Sequence, residues 1–175
     1  MKLVLSAGSL YTLPLPKVFE IARDTGFDGV EVIITTDFDA AAILELQAIH
    51  PILSLHAPFF DVDGWGDKID QLRNTCDLAI ITGIPLINFH PPSWLAFEFK
   101  FWRWFSSIRD FQRDVGRNDV IVTIENMPAT GPLKSNPYLL SQTSKMIEFM
   151  QERNLFMTFD TAHMGSSKVD RKSVV

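Results

Sequence analysis

The 175-residue sequence predicts an α/β protein, a (β/α) barrel of the TIM type in which about six of the eight strand–helix units are present. Apolar, β-branched segments alternate with segments of helical periodicity, which is typical of a parallel sheet with helical crossovers. Four successive strands end about 35 residues apart, close to the length of one strand–helix unit. Each of these four strands also ends in a residue that can bind a metal ion.

The polar strand ends favour a barrel over an open sheet. The strands end in Ser-Leu-His, Asn-Phe-His, Thr-Ile-Glu and Thr-Phe-Asp at residues 54–56, 88–90, 123–125 and 158–160. Since alternate strand residues point to one face, the first and third residues of each triplet share a face. A barrel places its active site on such an inner rim, whereas helices cover both faces of an open parallel sheet. No GxGxxG turn follows the first strand, which disfavours dinucleotide binding.

The predicted elements follow the chain in regular alternation. Strands are predicted at about residues 2–7, 28–34, 52–56, 85–90, 119–125 and 155–160. Helices are predicted at about residues 14–25, 40–48, 67–81, 95–115 and 138–152, with Asp37 or Asp39 as the cap of the second. Residues 1–163 therefore form a partial barrel domain. Residues 164–175 form a short polar tail, which we expect to be disordered or to mark a truncation point.

Composition narrows the classes of function. The net charge is −5, the pI is about 5.3 and there is no basic run, so nucleic acid is not an expected partner. Cys76 is the only cysteine, which excludes an internal disulfide and suits a reducing cytoplasm. No apolar stretch is long enough to span a bilayer, so we expect a cytoplasmic protein without a membrane partner.

The aromatic segment at residues 95–115 carries a core-facing stripe at helical spacing. Its members are Phe97, Phe101, Trp104, Phe105, Ile108, Phe111 and Val115. Phe99 and Trp102 lie off this stripe. These two aromatics predict a second contact, either with a partner subunit in a homo-oligomer or with the rest of the barrel.

Five residues at the strand ends are candidate metal ligands or catalytic groups. Glu125 and Asp160 follow strands buried on both faces, where a carboxylate needs a metal ion or an ion-pair partner. His56 and His90 end adjacent strands, which favours a ligand role over a buried histidine bonded to a carbonyl. His163 is a candidate for substrate contact, with a solvent-facing turn residue as the alternative. Mixed histidine and carboxylate ligands suit Mn²⁺, Co²⁺ or Zn²⁺ better than Mg²⁺.

Three further residues are candidates for substrate binding. Glu31, within the second strand, would point into the barrel as a substrate-binding or ion-pair residue. Asn126 would orient Glu125 or contact the substrate. Trp65 follows the third strand in a loop at the mouth of the site, where it would wall a substrate or pack structurally.

Four short motifs occur in order at the ends of strands three to six. They are His-Ala-Pro, His-Pro, Glu-Asn and Asp-x-x-His, beginning at His56, His90, Glu125 and Asp160. Together they resemble the xylose isomerase-like barrel superfamily, which includes sugar phosphate isomerases and epimerases and the endonuclease IV group. The resemblance covers nearly the whole chain, from residue 2 to residue 163.

The two branches of the superfamily imply different metal sites. In the isomerase branch, Glu125 and Asp160 would bind one divalent metal ion, His163 would contact the substrate and Glu125 would also transfer a proton. In the endonuclease branch, His56, His90 and Glu125 would bind one zinc ion, Glu125 and Asp160 a second, and His163 a third. In both branches the remaining ligands belong to strands seven and eight, which this sequence lacks.

The resemblance implies a metal-dependent isomerase or epimerase that acts on a small sugar or sugar phosphate. In such an enzyme a proton moves at the carbon next to a metal-polarised carbonyl. One alternative is a zinc-dependent phosphodiesterase of the endonuclease IV type. Another is an inactive barrel fragment that needs a partner to close it.

Overall fold

The computed structural model describes residues 2–35, 38–128, 136–160 and 163. Its strands form one parallel sheet in which each strand pairs with the next strand in the chain. The strands are β1 (Val4–Ser6), β2 (Gly29–Ile33), β3 (Ile52–His56), β4 (Leu86–Phe89), β5 (Ile121–Glu125) and β6 (Phe156–Thr158). A doubly wound sheet reverses its strand order at a switch point, and this sheet does not. The prediction of an incomplete (β/α) barrel is confirmed.

The helices follow the strands, and a 3-10 helix (Ala7–Leu10) follows β1. They are α1 (Leu15–Asp24), α2 (Ala40–Gln47), α3 (Lys68–Thr82), α4 (Phe99–Ser107), α5 (Phe111–Asp114) and α6 (Thr143–Glu152). Asp39 caps α2 by accepting a hydrogen bond from the backbone N–H of Ala42. Gly83 ends α3 in the left-handed conformation, with φ of 70°. Among the described residues, no helix combines the length and the hydropathy needed to cross a membrane.

The strands separate an apolar layer from a polar inner face, as the alternation predicted. Fully buried residues of the strands, such as Val32, Leu55, Ile87 and Ile124, belong to the hydrophobic core beneath the helices. The other face carries six polar residues, Glu31, Ser54, His56, Asn88, Thr123 and Glu125, together with the apolar Ile33, Leu86 and Ile121. Register places the polar residues beside one another, since Glu31 pairs with Ser54, His56 with Asn88 and Asn88 with Thr123. The polar residues therefore form a band across β2 to β5.

The prediction of one continuous helix at residues 95–115 is wrong. The chain forms α4 and α5, separated at Ile108, whose backbone is extended with φ of −68° and ψ of 130°. Asp110 begins α5 because its carboxylate accepts a hydrogen bond from the backbone N–H of Arg113. Before α4, Phe97 has φ of 55° and is 78% exposed, so it is not part of the core stripe.

The two off-stripe aromatics have different surroundings. Phe99 is 60% exposed. Trp102 instead packs within the chain, with its ring stacked 6.3 Å from that of Phe149 on α6. Only Phe99 of this pair therefore presents most of its side chain to the outside. The tail at residues 164–175 lies outside the described residues.

Candidate metal centre

A cavity of about 990 Å³ runs along the inner face of the sheet to the carboxyl ends of the strands. Six of the predicted site residues line it: Glu31, His56, His90, Glu125, Asp160 and His163. Their convergence follows from the parallel strands, whose carboxyl ends all meet at one rim. We call this space the rim cavity.

Glu125 is the centre of the cluster. Its side chain is buried, and Oε2 accepts a hydrogen bond of 2.7 Å from Asn88 Nδ2. The same oxygen lies 3.2 Å from His56 Nε2 and 3.9 Å from His90 Nε2. The second oxygen, Oε1, lies 3.0 Å from His163 Nδ1. Each carboxylate oxygen thus has its own imidazole neighbours.

His56 turns one ring nitrogen towards Glu125 because the other is already bonded. Its Nδ1 lies 2.7 Å from the carbonyl oxygen of Ala57, where only an N–H can form a hydrogen bond. In a neutral imidazole, Nε2 is then an acceptor that faces the carboxylate of Glu125. Two acceptors at 3.2 Å attract only when a proton or a metal ion lies between them. This pairing fits a metal site.

The charges of Glu125 and His90 suit metal binding, whereas His56 would have to lose a proton to bind a metal ion. Burial would lower the pKa of His56, but the hydrogen bond to Glu125 and the charges of Glu31 and Glu125 together outweigh it, and the pKa is raised. Burial would raise the pKa of Glu125, but contacts with His56, His90 and Asn88 outweigh it, and the pKa is lowered. Burial and the neighbouring His56 lower the pKa of His90 to about 3. At neutral pH, Glu125 is therefore an anion and His90 is neutral, the states that bind metal ions.

Two distances within the cluster are close to those between ligand atoms of a tetrahedral metal site. One ligand atom each from His56, His90 and Glu125 lies within 4.8 Å of the other two. Bonds of about 2.1 Å in a tetrahedral site place ligand atoms about 3.4 Å apart. The observed separations of 3.2 and 3.9 Å lie on either side of that value. These three residues could hold a metal ion with small adjustments.

A second group comprises Glu125, Asp160 and His163, whose ligand atoms also lie within 4.8 Å of one another. Asp160 Oδ1 accepts a hydrogen bond of 2.9 Å from the backbone N–H of His163, and Oδ2 lies 3.7 Å from His163 Nε2. Because Glu125 belongs to both groups, its carboxylate could bridge them.

Asn126 forms hydrogen bonds with residues of the second group. Its Nδ2 donates to the carbonyl oxygen of Asp160 at 2.9 Å, and its Oδ1 accepts from the N–H of Asp160 at 2.6 Å. Its own carbonyl oxygen lies 2.8 Å from His163 Nδ1. The side chain of Asn126 thus links the end of β5 to the segment that follows β6, and Asn126 does not line the rim cavity.

The two other predicted substrate-binding residues differ in position. Glu31 lines the rim cavity, and its carboxylate accepts hydrogen bonds from Ser6 Oγ at 3.0 Å and Ser54 Oγ at 3.1 Å. Trp65 packs against the hydrophobic core and is not among the described residues that line the cavity.

Two aromatic residues near the histidines were not predicted from the sequence. The ring of Phe59 lies 6.1 Å from that of His56 and 5.6 Å from that of His90. Tyr138 lies 6.1 Å from the ring of His90, and burial raises the pKa of its hydroxyl. Both belong to loops whose conformation the sequence pattern does not specify. The signal that could have indicated Phe59 is its place three residues after His56 in a loop at the rim.

The architecture and the ordered strand-end residues agree with a comparison of sequence families. The family model described as xylose isomerase-like TIM barrel matches residues 19–171. The chain belongs to this family. The resemblance carried by the four strand-end motifs is therefore confirmed.

Sequence relatives share only part of their length with the chain. The uncharacterized protein ML2432 of Mycobacterium leprae (strain TN) is 30% identical over 136 residues, which are 73% of this chain and 47% of ML2432. The chain thus spans about half the length of this curated relative.

Solved structures of the xylose isomerase-like fold include enzymes of different activity. An L-ribulose 3-epimerase superimposes with a TM-score of 0.60 and 14% identity, covering 97% of this chain and 63% of that chain. Endonuclease IV from Thermus thermophilus superimposes with a TM-score of 0.57 and 15% identity, covering 93% and 64%. At these identities the likeness shows the fold alone.

Proposed function

We propose that the protein is a metal-dependent isomerase or epimerase that acts on a small sugar or sugar phosphate. The observation that carries the proposal is the buried carboxylate of Glu125, which faces imidazole groups through both oxygens at the rim of an open cavity. Membership of the xylose isomerase-like family and the similarity to a ribulose epimerase support this class of reaction. The chain covers 47% of ML2432, so the activity is a proposal and not a property taken over from a full-length relative.

Glu125 and Asp160 are the proposed ligands of a divalent ion, with His56 and His90 beside Glu125. The ion, Mn²⁺, Co²⁺ or Zn²⁺, would polarise the substrate carbonyl and make the neighbouring carbon acid. The free thiol of Cys76 supports a reducing compartment such as the cytoplasm for the protein.

The residues of the rim have distinct proposed roles towards the substrate. Glu125, held as an anion by Asn88 and His56, would accept the proton from the substrate carbon. His163, between Glu125 and Asp160, would contact a substrate oxygen. Glu31 would accept hydrogen bonds from substrate hydroxyls through lone pairs that Ser6 and Ser54 leave free.

Metal titration of Glu125→Gln tests the metal centre. We expect the purified protein to bind Mn²⁺, Co²⁺ or Zn²⁺. The substitution should weaken metal binding by about 100-fold or more, because losing a direct ligand lowers metal affinity more than losing a residue that only contacts a ligand. Glu45→Gln, at an exposed position on α2, should leave the metal affinity unchanged.

The reaction class is tested by NMR, as deuterium uptake from D₂O next to the carbonyl in a panel of ketoses and ketose phosphates. The proposal would be overturned if Glu125→Gln and Glu45→Gln bound the metal ion with equal affinity and no sugar took up deuterium.

A second candidate is a zinc phosphodiesterase, which one further observation favours. Oε2 of Glu125 faces His56 and His90, whereas Oε1 faces His163, so the carboxylate could bridge two ions. The acidic pI favours a small phosphodiester over nucleic acid. Two zinc ions per chain, one of them lost in His90→Gln, together with cleavage of bis(4-nitrophenyl) phosphate, would select this candidate over the isomerase.

A further inference from the structure

A second cavity, of about 530 Å³, lies among the loops that follow β1, β2 and β3. We call it the side cavity. Its lining includes the apolar residues Ala7, Leu13, Val18, Ile34, Phe38 and Val62. The catalytic roles proposed above do not use it. Its size and apolar lining are those of a small-molecule site.

The side cavity adjoins the rim cavity. Gly8, Ile33 and Phe59 line both spaces. The junction is narrow on one side, where a Cβ on Gly8 would lie 2.6 Å from Ile33 Cδ1. Phe59, whose ring contacts both histidines, forms another part of the shared wall. One molecule could therefore contact the histidine cluster and extend into the side cavity.

The lining of the side cavity specifies the chemistry of that extension. Asp61 is the one charged residue among its described lining residues, and none of them is a lysine or an arginine. An anionic group such as a phosphate would lack a cationic partner there and would face Asp61. An uncharged apolar group would gain from leaving water at this surface.

We propose that the substrate is amphiphilic, with a hydroxylated head at the metal centre and an uncharged apolar substituent in the side cavity. For the position of the head, this inference rests on the proposed function. The proposed substrate is then a sugar-like compound that carries an alkyl, acyl or aryl group, and not a sugar phosphate.

Alkyl hydroxamates of increasing length test the inference. The hydroxamate group chelates divalent ions through two oxygens, so it represents the head, and its alkyl chain represents the substituent. Affinities of acetohydroxamate, butanohydroxamate and octanohydroxamate are measured by calorimetry on the whole chain loaded with Zn²⁺ or Co²⁺. Each methylene that enters the side cavity should tighten binding by about fourfold. We expect octanohydroxamate to bind at least about tenfold more tightly than acetohydroxamate.

Substitutions of Leu13 locate the alkyl chain. Leu13→Trp fills the side cavity and Leu13→Asp places a charge in it, so both should abolish the gain with chain length. Leu13 is 39% exposed, so neither change disrupts a closed core. The matched controls are Leu44→Trp and Leu44→Asp, at a 53% exposed position on α2 that does not line the cavity; they should retain the gain.

The outcomes separate this inference from the proposed function. If acetohydroxamate binds but chain length has no effect, or if the gain survives in both Leu13 variants, the side cavity does not hold the substituent and the inference is overturned. Failure of every hydroxamate to bind the metal-loaded protein would instead overturn the metal centre, and the amphiphilic substrate with it.

Discussion

At the scale of single residues, Asn126 shows how a side chain can shape the site without lining it. Its amide forms two hydrogen bonds with the backbone of Asp160, one in each direction. The backbone carbonyl oxygen of Asn126 also lies within hydrogen-bond distance of Nδ1 of His163. These contacts help to hold Asp160 and His163 beside Glu125.

Asn126→Ala should lower both stability and metal affinity. Loss of two hydrogen bonds should cost about 1–3 kcal/mol of unfolding free energy, and displacement of Asp160 should weaken metal binding by about tenfold. Urea denaturation and metal titration measure the two effects. Asn74→Ala is the control, because Asn74 also donates to a loop carbonyl, that of Trp65, at 3.3 Å. Unchanged metal affinity in Asn126→Ala would contradict the positioning role.

Cys76 should be unreactive in the folded protein. Its thiol is buried and donates to the carbonyl oxygen of Val115, and burial raises its pKa from 9.0 to about 11. Since only the thiolate reacts, this shift lowers the reactive fraction at pH 8 by about 100-fold, and burial blocks access as well. Labelling by a disulfide reagent should follow global unfolding across a urea titration. Rapid labelling of Cys76 in the absence of urea would contradict the prediction that its thiol is unreactive in the folded protein.

The sequence predicted the ligand-type residues because their positions are encoded locally. An apolar strand followed by His56, His90, Glu125 or Asp160 fixes the rim on which each lies, once the strands are parallel. The loops are different, since their conformations depend on tertiary contacts that no periodicity reveals. This is why the positions of Phe59 and Tyr138 near the histidines were not predicted.

At the scale of elements, the beginning of α3 is fixed by one carboxylate. Asp67 accepts hydrogen bonds from the backbone N–H groups of Ile69 and Asp70, and it also pairs with Lys100 on α4. The cap satisfies two of the donors that a helix leaves free at its first turn.

Two substitutions of Asp67 separate the cap from the ion pair. Asp67→Ala removes both and should lower the free energy of unfolding by about 1–2 kcal/mol. Asp67→Asn keeps an oxygen acceptor and should cost clearly less, while Lys100→Ala should change little because its ammonium group is exposed. Urea denaturation measures all three. An equal loss in Asp67→Asn and Asp67→Ala would show that charge, not capping, is decisive.

The division of the aromatic segment into α4 and α5 shows where element prediction fails. Apolar spacing at residues 95–115 continues through the break, so periodicity alone predicted one helix. The break depends on Asp110, which caps α5, and on a hydrogen bond from the N–H of Phe111 to the carbonyl oxygen of Arg153 beyond α6. The second contact lies far along the chain and cannot be inferred from local sequence.

At the scale of the whole molecule, β1 and β6 are the two edge strands of the sheet, and no described residue pairs with their outer sides. Large apolar side chains are exposed there, including Val4 at 37%, Phe156 at 51% and Met157 at 39%. Exposed strand edges with apolar residues promote association. These edge strands support the alternative that a partner is needed to close the barrel.

Phe156→Lys should reduce self-association more than Phe99→Lys does. The first places a charge on the open edge, and the second places one on the outer surface of α4 where the sequence predicted a homo-oligomer contact. Sedimentation velocity over a range of concentrations measures both variants against the original chain. A larger effect of Phe99→Lys would identify the helical surface as the interface. An active monomer would rule out the need for a partner.

The pairing of each strand with its predecessor has a consequence for how the protein is made. At about 5–20 residues per second, a ribosome releases each unit of about 35 residues in several seconds. Every new strand finds its neighbour already outside the exit tunnel, so the sheet can grow in one direction during translation. Glu125 and Asp160 emerge with or just after β5 and β6. A metal ion in the cell would therefore meet both carboxylates only after β1 to β4 have been released.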